Sequence, residues 1–333
     1  MKLPGAKTAK KFSKWLRARV LGGALILGYH RISVVEDDFY EVCVSPENFA
    51  RHMEALKEYA HPISLSKLVQ SLKQNVLPPK SVAVTFDDGY ADNLHVAKPI
   101  LEKYDIPATV FICTGYLGRE FWWDELERLV LSSRADPRAL RLRVGSAQFK
   151  WDPPQVNSEM DNPEVHRQFG HSLYHFLLSL DVEDQTYAMG VIRSWSGVSS
   201  PGISTPRAMS EGELLRLVDG GLMELGAHTS HHPMLPQLSF ERQKEEIQSS
   251  KRDLEALLSE KIAGFSYPNG RATVDAKRLV REMGFTYACT SLHDVIRPGT
   301  DVYELTRFWQ KDVDGDQFLE GLRHWMKMSS ASA

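Results

Sequence analysis

The stretch Ser81-Val82-Ala83-Val84-Thr85-Phe86-Asp87-Asp88-Gly89-Tyr90 decides the fold. Its first six residues form an apolar, β-branched run, and a pair of carboxylates with a glycine follows at the carboxyl end. Five more runs of this kind read as strands, at 24–29, 108–113, 222–227, 263–267 and 285–290. Amphipathic segments between and beyond them read as helices over 46–59, 65–73, 93–104, 124–131, 211–218, 240–259, 274–283 and 316–328. Several of these carry cap chemistry: Ser45 before Pro46, Ser210 with Glu213 three residues on, and Ser239 before Phe240. Gly220, Gly221 and Gly284 follow helices, where a left-handed residue is wanted. Strands alternating with helices predict an α/β fold with a parallel sheet, open or closed, and helices outside it.

Residues 115–208 break the rhythm. Trp122 and Trp123 are followed by Pro137, Pro153, Pro154, Pro163, Pro201 and Pro206, with helical patches at 164–180 and 183–195. This reads as an insertion on the α/β core, needing a surface to pack on. Ligand sites in such folds lie at the carboxyl ends of strands, so an insertion there is expected to cap the site.

Four clusters carry chemistry. Asp87 and Asp88 repel one another, and burial raises a carboxyl pKa, so a cation or a proton must offset them. A turn at Gly89 re-aims both toward one pocket, one as a metal ligand and one as a free base; alone, an Asp-Asp-Gly turn is also a common solvated loop. His228-Thr229-Ser230-His231-His232-Pro233 follows the strand at 222–227. His228 and His232 are four apart and can face one side, with His231 competing at spacing three. One Asp and two His make a three-ligand set with open positions, the arrangement of a catalytic metal. The turn Tyr267-Pro268-Asn269-Gly270 ends another strand, where backbone N–H groups can face a developing oxyanion or serve only as a strand exit. His30 ends the first strand, as a general acid at the same pocket or as a histidine holding a loop.

Composition narrows the classes. With 333 residues, 25% of them charged and 42% apolar, the chain is long enough for a full core and is neither disordered nor repetitive. The net charge of −3 argues against a nucleic-acid partner. Cys43, Cys113 and Cys289 form no CxxC pair, so no thiolate zinc site or disulfide framework is expected. No apolar run approaches the roughly 20 residues that cross a bilayer. Residues 1–35 hold eight Lys and Arg and no acid, with Phe12, Trp15 and Leu16 at helical spacing. Segment 1–20 is thus expected to be a basic amphipathic helix, either a solubilising terminus or a peripheral contact with the inner membrane face. It lacks the features of a secretory signal, so a cytoplasmic location is expected.

With these residues in hand the sequence resembles the polysaccharide deacetylases, the NodB-homology group called carbohydrate esterase family 4. The resemblance runs through Thr-Phe-Asp-Asp-Gly at 85–89, His-Thr-x-x-His-Pro at 228–233 and Tyr-Pro-x-Gly at 267–270, and covers roughly residues 24–310. Tyr29-His30 also resembles the first strand of the branch acting on poly-N-acetylglucosamine. The resemblance implies a distorted (β/α) barrel of about seven parallel strands; residues 21–333 read as one such catalytic domain, while the cap-like insertion at about 115–208 and the basic N-terminus lie outside the resemblance. It implies one divalent metal, Zn2+ first, with Co2+, Ni2+, Fe2+ or Mn2+ as alternatives. It also implies removal of N-acetyl groups from a GlcNAc-type polysaccharide, oligosaccharide or glycan precursor.

Carried onto this chain, Asp88, His228 and His232 hold the metal, Asp87 is the general base, and the backbone N–H of Asn269, within the turn of Tyr267 and Pro268, helps bind the oxyanion. Two departures stand out. Ser266 occupies the position where many members carry an arginine that orients the base, leaving Arg307 or Arg271 to serve, with Arg307 preferred. The C-terminal histidine motif is not found cleanly; in the branch with an N-terminal Tyr-His the histidine of that strand fills the role, and the resemblance thus implies His30 as the acid, with His293 as the competitor. Tyr90, Trp122, Trp123 and Trp309 are candidates for stacking against sugar rings or for the core. The competing functions are hydrolysis of other C–N bonds on the same scaffold and non-catalytic glycan binding.

Overall fold

In the computed structural model, which describes residues 23–133, 135–151, 163–198 and 206–331, eight strands form one parallel sheet, and two short ladders lie outside it, Arg31–Ile32 parallel to Cys43–Val44 and Arg143–Val144 antiparallel to Ala147–Gln148. The strands of the sheet are β1 (Leu25–Tyr29), β2 (His61–Pro62), β3 (Ser81–Phe86), β4 (Ala108–Ile112), β5 (Met223–Ala227), β6 (Gly264–Ser266), β7 (Tyr287–Cys289) and β8 (Phe308–Trp309). Seven run in the order β7-β6-β5-β4-β3-β1-β8, and the two-residue β2 lies beside the start of β3. The register between β1 and β3 sets Leu25 opposite Val82 and Tyr29 opposite Phe86. The last segment bends this sheet into a distorted barrel. Leu305 makes a parallel bridge with Cys289 of β7, and Phe308 and Trp309 pair with Leu27 and Gly28 of β1.

Alternation along the strands sorts side chains between two apolar clusters. Leu25, Leu27, Val82, Val84 and Val110 pack outward under the helices, whereas Ile26, Ala83, Phe111 and Tyr287 join a second cluster. Crowding in that second cluster explains two glycines. A Cβ at Gly226 would sit 2.4 Å from the Phe111 ring, and one at Gly264 would sit 2.5 Å from the Tyr287 ring.

The helices are α1 (Pro46–Tyr59), α2 (Leu65–Gln74), α3 (Lys98–Tyr104), α4 (Trp122–Ser132), α5 (Pro163–Leu178), α6 (Val182–Ser196), α7 (Glu211–Val218), α8 (Phe240–Leu258), α9 (Val274–Glu282) and α10 (Gly315–Ala331). Ser45, Ser64, Asp181, Ser239 and Thr273 cap five of them through side-chain acceptors, and Ser210 with Glu213 forms a capping box on α7. Gly284, with φ +78°, follows the end of α9.

The helix after β3 and the bounds of the last strands need correction. The helix predicted over 93–104 opens with a π-helical turn at Asn93–Ala97 before α3. Pro99 has no N–H for the carbonyl four residues back, so the ladder widens there. The strands predicted at 263–267 and 285–290 shorten to three residues each, and β2 and β8 were too short to show any period. The expected basic helix in segment 1–20 lies outside the described residues.

In the region of the insertion, α4, α5 and α6 pack on one another around Phe121, Leu126, Phe169, Leu173 and Ile192. Tyr90 and Cys113 from the barrel's strand ends belong to the same cluster, which seats these helices over one end of the barrel.

Candidate active site

Asp87 and Asp88 leave the end of β3 in a tight turn. Asp88 takes a left-handed φ of +70° and Gly89 one of +84°. A Cβ at Gly89 would lie 2.6 Å from Ile112 Cδ1, so glycine lets the turn close against β4. Thr229, His232 and Asn269 also hold positive φ, at 63°, 57° and 54°. Such clustering of disfavoured backbone in loops around one cavity is the usual mark of a functional site.

Asp88, His228 and His232 each offer a ligand atom, and these atoms lie within 4.8 Å of one another. Asp88 Oδ1 is 3.6 Å from His228 Nε2 and 3.8 Å from His232 Nε2. The His228 Nδ1–H donates to the Ser266 carbonyl at 2.7 Å, which fixes the tautomer and leaves Nε2 with its lone pair toward Asp88. His232 Nδ1 is buried with no protein partner. Burial first, and the Asp87 charge next, push the Asp88 carboxyl well above its ordinary value. A buried carboxyl and two neutral imidazoles are a donor set short of positive charge, and they fit a divalent ion. His231 turns away. Its Nδ1 lies 2.8 Å from Glu246 Oε1, while the backbone N–H groups of Ser230 and His231 donate to Oε2 of the same residue.

Asp87 has the opposite environment. Arg307, fully buried, donates to its two oxygens at 2.6 and 2.8 Å. The same guanidinium is held by the Thr290 carbonyl at 3.0 Å and the Ser266 hydroxyl at 2.9 Å. Burial alone would raise the Asp87 carboxyl, but the Arg307 charge outweighs it and holds the group well below the usual carboxylate range. Ser266 thus stands where the family resemblance expected an arginine, and its hydroxyl bridges Arg307 and Asp87. Arg271 is exposed on the turn after Asn269.

His30 lines the same cavity, flat against Trp309 with centroids 4.5 Å apart and planes 16° apart. Gly28 permits this, since a Cβ there would come within 2.7 Å of the Trp309 ring. Burial pushes the His30 imidazole down to about 4, so the ring is neutral at pH 7. The π-helical turn anchors its loop, because Asn93 Nδ2 donates to the His30 carbonyl at 2.8 Å. His293 is exposed, stacks on Phe308 and does not line the cavity.

The cavity holds about 650 Å3. Asn269 lines it, with Nδ2 buried and unpartnered, while Pro268 is buried and Tyr267 is turned into the core with its hydroxyl donating to the Tyr303 carbonyl. Trp123, Tyr90 and Trp309 also line it, and Trp123 Nε1 donates to the Tyr90 hydroxyl at 2.7 Å. Trp122 is buried instead against Tyr174. Sequence reasoning missed the far wall. Arg167, His171, Tyr174 and His175 reach the cavity from α5, and Phe39 and Tyr40 reach it from the loop after β1. Their spacing on α5, at intervals of four and three, was visible, but helical periodicity does not tell a cavity wall from a core stripe.

The family model described as polysaccharide deacetylase matches residues 74–133 and 171–288. A poly-beta-1,6-N-acetyl-D-glucosamine N-deacetylase of Staphylococcus aureus is 33% identical over 110 residues, which is 29% of this chain and 38% of that protein. The chain therefore spans under half the length of the curated relatives it matches. Among solved structures, a Streptococcus pyogenes deacetylase, PplD, in complex with acetate aligns with a TM-score of 0.59 at 20% identity, covering 90% of this chain and 98% of that one. IcaB from Ammonifex degensii aligns with a TM-score of 0.58 at 20% identity, covering 93% and 98%. At such identities the likeness speaks to the fold, which is the deacetylase (β/α) barrel. With the family model matched across more than half of its length, the chain belongs to the polysaccharide deacetylase family.

Proposed function

We propose that this protein is a metal-dependent deacetylase that removes N-acetyl groups from a GlcNAc-type polysaccharide, oligosaccharide or glycan precursor and releases acetate. One observation carries the reading: of two adjacent carboxylates, Asp87 is held through both oxygens by Arg307, while Asp88 shares a cluster of ligand atoms with His228 and His232. Such separation of neighbouring carboxyls is how one site supplies both a base and a second role. The N-deacetylase name of the Staphylococcus aureus relative supports the substrate class.

Asp88, His228 and His232 would hold the divalent ion, Zn2+ by the chemistry of the set. When bound, the ion acts as a Lewis acid that polarises the acyl carbonyl and acidifies water. Asp87, ionised at neutral pH, accepts the proton of the attacking water at a carboxylate oxygen, and Arg307 fixes its plane through both oxygens. His30 is neutral at rest, so the proton that Asp87 takes from the water passes to its imidazole and from there to the departing amine nitrogen, which returns both groups to their starting states. Asn269, on the cavity wall, presents donors toward the place where negative charge develops.

The test is acetate release from a panel of N-acetylglucosamine oligomers, with and without chelator, alongside metal content. Release that stops on chelation and returns with Zn2+ is expected. His228→Ala and His232→Ala are each expected to lose both the metal and the activity. Stoichiometric zinc in both variants would overturn the ligand set, and chelator-resistant release would overturn the metal dependence.

A further inference from the structure

A second cavity of about 830 Å3 lies against the first, and Tyr40 and Val42 line both. Its wall is acidic. Most of its other charges are matched: Arg31 bonds Asp92 at 3.1 Å, Arg128 bonds Glu120 at 3.0 Å, Asp37 pairs with Arg167, and Asp38 accepts backbone N–H groups from Val42 and Cys43. Asp124 and Glu127, one turn apart on α4, have no ion-pair partner among the described residues, and neither does Glu36 across the cavity. Asp124 is 95% buried by its 5% exposure, and its Oδ2 has no hydrogen-bond partner. Burial pushes the Asp124 carboxyl up to about 8 and the Glu127 carboxyl up to about 7. Arg31 pulls both carboxyls down without outweighing burial, and the wall keeps an excess of acidic groups over its three arginines, Arg31, Arg128 and Arg207.

The geometry separates two kinds of cation. Three ligating atoms within 4.8 Å of one another occur only at Asp88, His228 and His232 among the described residues. The carboxylates of the second cavity are therefore too dispersed to wrap a metal ion. They stand around a space edged by Tyr40, Val35 and Leu131, which suits a larger body carrying one positive group. Resting on the proposed reaction, the product side supplies such a body, because each turnover turns a neutral acetamide into an amine that is protonated near neutral pH. We propose that the cavity bounded by Asp124, Glu127 and Glu36 is a subsite for an already deacetylated amino sugar, whose ammonium group pairs with these carboxylates while a neighbouring acetylated residue occupies the cavity at Asp87. The subsite makes the protein favour chains that already carry free amines, so deacetylation proceeds from earlier sites along the same chain.

The experiment is binding, which separates this proposal from the proposed activity. Calorimetry at about pH 7, where an amine of this class still carries its proton, compares a glucosamine tetramer that keeps a single N-acetyl group with the same tetramer fully N-acetylated. The wild type is expected to bind the amine form about tenfold more tightly, the scale of one desolvated charge pair. In Glu127→Gln, and in Asp124→Asn if that variant folds, the preference is expected to fall to within about twofold, the residue of the same pair strength. Glu127 is only half-buried, so its variant keeps the test open if Asp124→Asn does not fold. Equal affinity for the two tetramers in the wild type, or a preference unchanged in Glu127→Gln, would overturn the proposal. Displacement of the amine tetramer by millimolar Mg2+ or Ca2+ in the wild type but not in Glu127→Gln would overturn it in favour of a metal-ion site. Loss of acetate release with the tetramer preference intact would overturn the deacetylase reading alone.

Discussion

The loops after β3 and β5 and the segment that closes the barrel supply the same cavity in different ways. The loops carry their chemistry in consecutive residues, Asp87 and Asp88 in one and His228 to His232 in the other, on backbones locked by positive φ. The closing segment, from Leu305 to Trp309, carries two residues with no motif around them. Yet Arg307 sets the charge of Asp87, and Trp309 backs His30. The candidate ligand residues sit in short loops, whereas the guanidinium that pairs with Asp87 is delivered from the far end of the chain. The difference follows from reach. Ligands within one loop share a backbone, but a guanidinium that must arrive buried and bidentate needs a strand to carry it.

Three substitutions test that division. The largest effect is expected for Asp87→Asn, which keeps the ligand loops and removes the group that the closing segment controls. Acetate release should fall by about 10²- to 10⁴-fold with metal content unchanged, and loss of the metal in this variant would erase the distinction between the two regions. Next, Arg307→Met should destabilise the fold by about 3–5 kcal/mol at neutral pH, because it strands a buried carboxylate. In the wild type the depressed Asp87 carboxyl contributes stability that is present above the unfolded value, about 3.9, and is lost as pH falls through the folded value. In the variant, burial raises that carboxyl, so the gap between the two proteins in urea unfolding should narrow as pH drops toward about 4. A gap independent of pH would mean that Arg307 acts through packing alone. The smallest effect is expected for Gly28→Ala. Its Cβ would push on the Trp309 ring at 2.7 Å, costing about 1–3 kcal/mol in stability and lowering kcat as His30 loses its flat support. An unchanged kcat with the stability loss would confine Trp309 to packing.

The sequence made the strand-end chemistry legible because each cluster sits in one short stretch beside an apolar run. Asp87, Asp88, His228 and His232 lie together, and the four central strands lie close to where their β-branched runs begin and end. The rest needed tertiary contacts. His231 and His232 differ by one position, and what separates them is Glu246 on α8, which draws His231 away. Tyr267 belongs to the same turn as Asn269, but its ring is drawn into the core toward Tyr303. β8 is two residues long and shows no period, so the path that brings Arg307 to Asp87 had no signature of its own. The acidic wall is assembled from the loop after β1 and from α4, about 90 residues apart along a chain whose periodicity reports only each element's own face.

The hydrogen bonds between Arg307 and Asp87 join residues 220 positions apart. A chain emerging from the ribosome exposes its amino-terminal part first. The whole ligand loop at 228–232 is made well before residue 307 exists, and until that residue arrives Asp87 has no counter-charge with which to be buried. The pairing that lets Asp87 be buried as a carboxylate is therefore among the last contacts the growing chain can make.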